Sequence, residues 1–125
     1  MKEANRDYTL FLEDMRESME LIISYIDDMN YEAFAIDRKT IDAVVRNFEI
    51  IGEASKKVPV EVRIKYPDLP WEEMYRMRNI ITHEYFGIDY SLVFDIAVRQ
   101  LPENLRYLKL IIEEERNRKN ETSLS

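Results

Sequence analysis

Residues 8–26, which read YTLFLEDMRESMELIISYI, decide the fold. Their apolar side chains recur at intervals of three and four residues, the spacing of one face of an α-helix. This stripe comprises Tyr8, Phe11, Leu12, Met15, Met19, Ile22, Ile23 and Ile26. It predicts a long helix over roughly residues 5–29 that buries one face against other helices.

A second apolar stripe follows along the chain. It comprises Phe34, Ile41, Val44, Val45, Phe48, Ile51 and Ala54. The stripe predicts a second long helix that begins near Tyr31 or after Asp37 or Thr40. It ends before Pro59, because the residue that precedes a proline resists helical angles. Residues 60–66 then predict a short connecting helix, which the next proline closes.

Three further helices are predicted in the second half of the chain. The first runs over about residues 71–85 and ends near Gly87, since glycine suits a helix C-terminus. Asp89 is the predicted N-cap of the next helix, over residues 90–99. Pro102 either opens the last helix or kinks a continuous one. The stripe of that last helix comprises Leu105, Leu108, Ile111 and Ile112.

These stripes define the fold class. No strand-like alternation and no repeat interrupts them, so the sequence predicts an all-α protein, an antiparallel four-helix bundle with a short additional connecting helix. Residues 1–116 are expected to form this single helical domain, and the polar residues 117–125 a frayed tail. The acidic runs Asp27-Asp28 and Glu113-Glu114-Glu115 are interpreted as solvated helix faces.

The composition excludes several classes of protein. With 125 residues, 46% of them apolar and 34% charged, the chain is expected to be one globular domain. It has no cysteine and one histidine, so neither a disulfide, thiol chemistry nor a structural zinc site is predicted, and no cofactor is expected. No apolar run reaches the ~20 residues that span a bilayer, and the charged N-terminus is unlike a signal peptide, so a cytoplasmic location without membrane contact is expected.

The single histidine lies in the stretch Arg78-Asn79-Ile80-Ile81-Thr82-His83-Glu84-Tyr85. Histidine changes its charge near neutral pH, and arginine binds phosphate through two parallel hydrogen bonds. Such a pair suits RNA cleavage without a metal, in which His83 moves protons and Arg78 stabilises the phosphate. Asn79 precedes His83 by one helical turn and could orient the imidazole or bind a phosphate oxygen. Arg76 and Thr82 are weaker candidates for RNA contacts.

The spacing of Arg78 and His83 leaves three arrangements open. On an ideal helix the two residues are about 140° apart. The arginine could curl round the helix, the helix could distort after Ile81, or the site could lie between two chains. Transesterification needs both a base and an acid, and one chain has one histidine, so a homodimer is favoured. The simpler alternative for Arg78 is a surface ion pair with Glu73 or Glu84.

Four landmarks together resemble a known family. Arg78 to Tyr85 resembles the Arg-x-x-x-x-His-x-Tyr signature of HEPN-domain toxins, in the HepT-like branch of the HEPN/minimal nucleotidyltransferase toxin–antitoxin systems. Residues 47–54 resemble its second-helix signature, residues 66–71 its connector, and residues 99–102 the opening of its last helix. The resemblance implies a HEPN-like bundle, a homodimer with the motif at its two-fold axis, and possible higher oligomers. It also implies an antitoxin nucleotidyltransferase partner that modifies Tyr85 with AMP.

The second-helix landmark contains residues for which the sequence suggests supporting roles. Gly52 costs about 1 kcal/mol against alanine inside a helix, and is interpreted as packing against the motif helix or the dimer partner. Glu49 and Glu53 share a helix face and either pair with an arginine near the site or are solvated. Neither is interpreted as catalytic.

Two functions from different classes are compatible with the sequence. The leading hypothesis is a metal-independent endoribonuclease toxin acting on RNA, with tRNA the expected substrate, and neutralised by AMP modification of Tyr85. The alternative is a non-catalytic HEPN helical module that binds a nucleotide or a partner nucleotidyltransferase. The net charge of −7 favours the alternative, because nucleic-acid binders are usually basic. A local basic site could still form from Arg76, Arg78 and the upstream residues Lys56, Lys57, Arg63 and Lys65.

Overall fold

The computed structural model describes residues 7–82, 87 and 89–124. Those residues contain helices and no strand, which confirms the all-α fold class. The helices are α1 (Tyr8–Ile26), α2 (Tyr31–Ala35), α3 (Arg38–Lys57), α4 (Val60–Lys65), α5 (Trp71–Thr82), α6 (Tyr90–Arg99) and α7 (Leu101–Leu124). None of these helices has the length and apolar character that a membrane span requires.

Short polar side chains start four of the helices. Asp7, Asn30, Asp37 and Asp89 each accept a hydrogen bond from a backbone N–H in the first turn that follows, at 2.9–3.1 Å. Such caps satisfy donors that have no partner within the helix. The Asp37 cap separates α2 from α3, so two of the three starting points considered for the second helix, near Tyr31 and after Asp37, each begin a helix. The cap at Asp89 confirms the prediction for α6.

Prolines and a left-handed residue set the helix boundaries. Helix α1 is followed by Asp28, whose φ of 66° is left-handed and breaks the helix. Helix α3 ends at Lys57, two residues before Pro59, as predicted. Helix α7 begins at Leu101, so Pro102 lies in its first turn and opens the helix rather than kinking it.

The long helices pack antiparallel to their neighbours around one core. Helix α3 lies between α1 and α5, and α1 also contacts α7. Two ion pairs show that α1 and α7 run in opposite directions. Glu20 near the end of α1 pairs with Lys109 in α7 at 3.7 Å, and Lys119, later in α7, pairs with Asp7 just before α1 at 3.2 Å. The predicted stripes supply much of the core, and α4, the connector, α5 and α6 complete it with residues such as Val62, Leu69, Met77 and Val93. Fully buried examples are Leu12, Met15, Met19, Ile22, Val44, Ile51, Leu108 and Ile111.

Two stretches of α7 differ from the sequence-based expectation. The helix continues to Leu124, so the segment 117–124, for which a frayed tail is expected, is helical. Contacts to the start of α1 support it, since Arg118 donates a hydrogen bond to the Tyr8 hydroxyl at 2.7 Å. Glu115, interpreted as part of a solvated face, has no exposed surface. That interpretation was wrong for Glu115.

Glu115 is buried because distant groups supply hydrogen bonds to its carboxylate. Lys65 donates at 2.8 Å and Tyr66 at 2.7 Å, Tyr8 donates through its hydroxyl, and Arg118 contacts it at 3.2 Å. Burial alone would raise the pKa of Glu115, but the hydrogen bonds from Lys65, Tyr8 and Tyr66 outweigh it and lower the pKa to about 2. Burial and these same hydrogen bonds raise the pKa of both phenols, which keeps them as donors. The cluster joins α1, α4 and α7.

Candidate active site

Helix α5 carries the first half of the predicted motif, and its start is fixed by the connector. The Trp71 indole donates a hydrogen bond to the Tyr66 carbonyl at 2.9 Å, and Trp71 is buried. Met74 and Met77 follow on the same face and are also buried. With this face held in the core, the next position along the helix, Arg78, lies at the edge of the contact with α3.

Gly52 lets α3 and α5 approach closely at Arg78. A Cβ atom built on Gly52 would lie 2.3 Å from the Cβ of Arg78 and 3.0 Å from both its Cγ and the carbonyl oxygen of Met74. The first distance is far below van der Waals contact, and the third involves backbone that cannot easily give way. The prediction that Gly52 packs against the motif helix is therefore confirmed.

Arg78 forms an ion pair across this helix contact. Its Nη2 lies 3.1 Å from Oε2 of Glu53, and the two side chains are 27% and 46% exposed. Its Nη1 lies 3.5 Å from the amide oxygen of Asn79. A surface ion pair was expected as the simpler alternative, but its partner comes from α3 rather than from Glu73 on α5. The prediction that Glu49 or Glu53 pairs with an arginine near the site is confirmed for Glu53.

The charges around Arg78 alternate in sign. Glu49 lies 3.7 Å from Arg46 on α3, and Arg76 lies 3.8 Å from Glu72 on α5. Lys56, one turn after Gly52, lies over the Tyr75 ring at 4.6 Å from its centroid. Of the four upstream basic residues, only Lys56 lies here, and the other three have partners elsewhere. Lys65 is bound to Glu115, Arg63 donates to the Val58 carbonyl, and Lys57 lies over Phe11.

The second half of the predicted motif falls in the part of the chain that the structure does not describe. His83, Glu84 and Tyr85 lie outside the described residues, so the distance from Arg78 to His83 and the roles of His83 and Tyr85 stay predictions. The same holds for the choice among the three arrangements of the motif. Thr82 ends α5. In the described part of the chain, no three histidine or acidic residues are grouped in a way that could hold a metal ion.

An apolar groove beside α5 was not found by sequence reasoning. It has a volume of about 180 Å³ and runs between α3, α5, α6 and the start of α7. Its lining comprises Phe48, Ile51, Pro70, Glu73, Met74, Arg76, Met77, Leu92, Ile96, Gln100, Leu101 and Asn104. On its α6 side, Leu92 is 44% exposed. The apolar positions Leu92 and Ile96 are spaced at i, i+4, a signal that also occurs in buried stripes, so the sequence alone does not identify them as a surface.

Comparisons with known proteins identify the family. The ribonuclease HepT-like family profile matches residues 15–111. A Methanocaldococcus jannaschii protein named a putative RNase is 39% identical over 109 residues, 87% of this chain and 90% of that protein. A Thermococcus cleftensis protein named "Probable ribonuclease HepT" is 41% identical over 102 residues, 82% of this chain and 90% of that protein. No solved structure matches this chain significantly. The chain belongs to the ribonuclease HepT-like family, as the sequence landmarks suggested.

Proposed function

We propose that this protein is a metal-independent endoribonuclease, the toxin of a toxin–antitoxin pair, and that it cleaves tRNA in the cytoplasm. His83 transfers protons and Arg78 binds the scissile phosphate. The observation that carries the proposal is the placement of Arg78, a solvent-accessible guanidinium on the helix that leads to His83. Family membership and the names of the relatives support ribonuclease as the class of activity.

The proposed reaction is a transesterification. The 2′-hydroxyl attacks the adjacent phosphorus as a base removes its proton, and the bond to the 5′-oxygen breaks as an acid protonates that oxygen. Arg78 stabilises the negative charge that builds on the non-bridging oxygens. Asn79 supports the site by binding a phosphate oxygen or the imidazole. The products are a 2′,3′-cyclic phosphate and a free 5′-hydroxyl.

A homodimer supplies the second proton-transfer group in this proposal. One chain has one histidine, whereas the reaction uses a base and an acid. The exposed Leu92 and the apolar groove next to α5 support self-association close to the motif, because a second copy would bury them. Higher oligomers could build on the same dimer.

Tyr85 is the proposed regulatory residue. Attachment of AMP by a partner nucleotidyltransferase antitoxin would add a negative phosphate and a nucleoside two residues after His83. The added charge would repel the RNA phosphate, and the added bulk would obstruct access of RNA to His83. Tyr85→Phe is expected to stay active in the presence of the partner.

Cleavage of total tRNA in EDTA by the purified protein tests the proposal. Wild type is expected to cut, and His83→Ala and Arg78→Ala are expected to lose cleavage by about 100-fold or more while keeping their helical content. Asp42→Asn is the matched control, since its carboxylate pairs with Arg38 on α3 at 3.2 Å and lies outside the proposed site. Undiminished cleavage by His83→Ala would refute the assignment.

A non-catalytic binding module is the second candidate. The net charge of −7 and the alternating charges around Arg78 favour it, since neither concentrates positive charge for RNA. That function predicts binding of a nucleotide or the nucleotidyltransferase partner by both wild type and His83→Ala, with no cleavage by either.

A further inference from the structure

Two consecutive residues of α3 contact opposite ends of the Arg78 side chain. Gly52 faces its Cβ and Cγ, where any added side chain would collide. Glu53 contacts its Nη2 at 3.1 Å. A helix places consecutive residues about 100° apart, so both reach Arg78 only because α5 lies over the edge of α3 between them.

Arginine has many side-chain conformers, and holding it in one of them has an entropic cost. A guanidinium that must meet a phosphate in a fixed geometry benefits when that cost is met before the substrate arrives. The close helix contact at Gly52 restricts the first carbons of the side chain. The carboxylate of Glu53 restricts its charged end.

We propose that Gly52 and Glu53 are positioning residues, which together hold the Arg78 guanidinium ready for the scissile phosphate. The inference rests on the proposed ribonuclease function for its catalytic consequence. Neither residue touches the substrate, and both act through Arg78. The landmark at residues 47–54 thereby gains a mechanistic role that its packing alone does not require.

The geometry of the ion pair favours positioning over masking. Glu53 contacts Arg78 at a single point, Oε2 to Nη2, rather than through a two-point fork. A guanidinium has five N–H donors. In the part of the chain that the structure describes, the contact to Glu53 uses one donor and the contact to Asn79 approaches a second. Among these described contacts the guanidinium keeps donors for a phosphate, so the carboxylate does not need to leave.

Steady-state cleavage kinetics distinguish these roles. Glu53→Ala is expected to lower kcat about five-fold, the factor for an exposed ion pair of this kind, with little change in KM. Gly52→Ala displaces the Arg78 backbone and is expected to lower kcat by about tenfold or more. Asp42→Asn, which removes one negative charge from an ion pair on the same helix, is expected to match wild type. A lower KM or higher kcat/KM for Glu53→Ala would mean that Glu53 masks Arg78, and would overturn the proposal.

A double-mutant cycle tests whether Glu53 acts through Arg78. In an Arg78→Lys background, Glu53→Ala is expected to cause less than a two-fold further change, because the guanidinium that it positions is gone. An undiminished five-fold loss in that background would assign Glu53 a separate structural role. Equal kcat for Glu53→Ala and wild type, with wild type active, would refute the positioning role and leave the ribonuclease function intact.

A spectroscopic readout makes the test independent of activity. The side-chain Nε–Hε resonance of Arg78, assigned by its loss in Arg78→Lys, is expected to show restricted motion in wild type and fast averaging in Glu53→Ala. Asp42→Asn should leave the resonance unchanged. Equal mobility in wild type and Glu53→Ala would refute the inference even if no RNA substrate were cleaved.

Discussion

Replacing Glu115 by glutamine tests how a fully buried carboxylate stabilises the bundle. The environment of Glu115 lowers its pKa from 4.5 to about 2. Because each pH unit between folded and unfolded pKa corresponds to about 1.4 kcal/mol, ionised Glu115 contributes about 3 kcal/mol at neutral pH. We expect Glu115→Gln to lose most of that free energy of unfolding at pH ~7, since an amide offers Lys65 and Arg118 no charge.

The lowered pKa of Glu115 determines how its contribution to the free energy of unfolding changes with pH. A carboxyl group whose folded pKa is depressed adds stability above its unfolded pKa, and that stability is lost as the pH falls through the folded value. The stabilisation by Glu115 is therefore lost over the pH range from about 4.5 down to about 2. The difference in free energy of unfolding between wild type and Glu115→Gln should fall to about half by pH ~3. At that pH the wild-type carboxyl takes up a proton when the protein unfolds, which makes unfolding less costly.

Urea denaturation followed by circular dichroism, at one protein concentration and several pH values, measures this difference. The matched control is Glu113→Gln, an exposed carboxylate on the same helix, which should stay within about 0.5 kcal/mol of wild type. Other carboxyl groups with lowered pKa, such as Asp7, contribute equally to wild type and variant and cancel. A difference between wild type and Glu115→Gln that does not change with pH would refute the electrostatic account.

Two further outcomes follow from the structure, and a third follows from the proposed regulation at Tyr85. Phe34 is fully buried, and its ring centroid lies 5.0 Å from that of Phe94. Phe34→Ala should therefore lower the free energy of unfolding by about 3–5 kcal/mol, as measured by urea denaturation. A much smaller loss would show that the contact between α2 and α6 is not part of the core. Asp37→Ala removes the N-cap of α3 and should lower stability by about 1 kcal/mol, whereas Asp37→Asn, which can still accept the hydrogen bond, should be nearly neutral. Tyr85→Phe should block AMP incorporation by the partner, as read by intact-protein mass spectrometry, without reducing cleavage; incorporation that persists would place the modification elsewhere.

Periodicity predicted the helical core because its information is local. The stripe of α1 buries Leu12, Met15 and Met19 completely, and a helix face can be read from spacing alone. The caps at Asp37 and Asp89 are likewise local, since each bonds a backbone N–H three residues later.

Contacts between distant residues could not be predicted in the same way. Glu115 stands in a run of three glutamates, and nothing near it in sequence indicates that Tyr8 and Lys65 will surround it. The partner of Arg78 was predicted only as a set of alternatives, because the choice depends on how α3 and α5 align. Gly52 gave the one usable signal, since a glycine inside a helix indicates a close approach by a neighbouring element.

The close approach at Gly52 also constrains protein engineering with this bundle. Helix α5 cannot be transplanted alone into another helical scaffold, because the recipient must offer a position without a Cβ opposite Arg78. A chimera that exchanges α3 and α5 together preserves this contact, whereas one that replaces α3 by a helix with a side chain at the position of Gly52 forces the two helices apart. For α5, the smallest exchangeable unit is thus the antiparallel pair that it forms with α3.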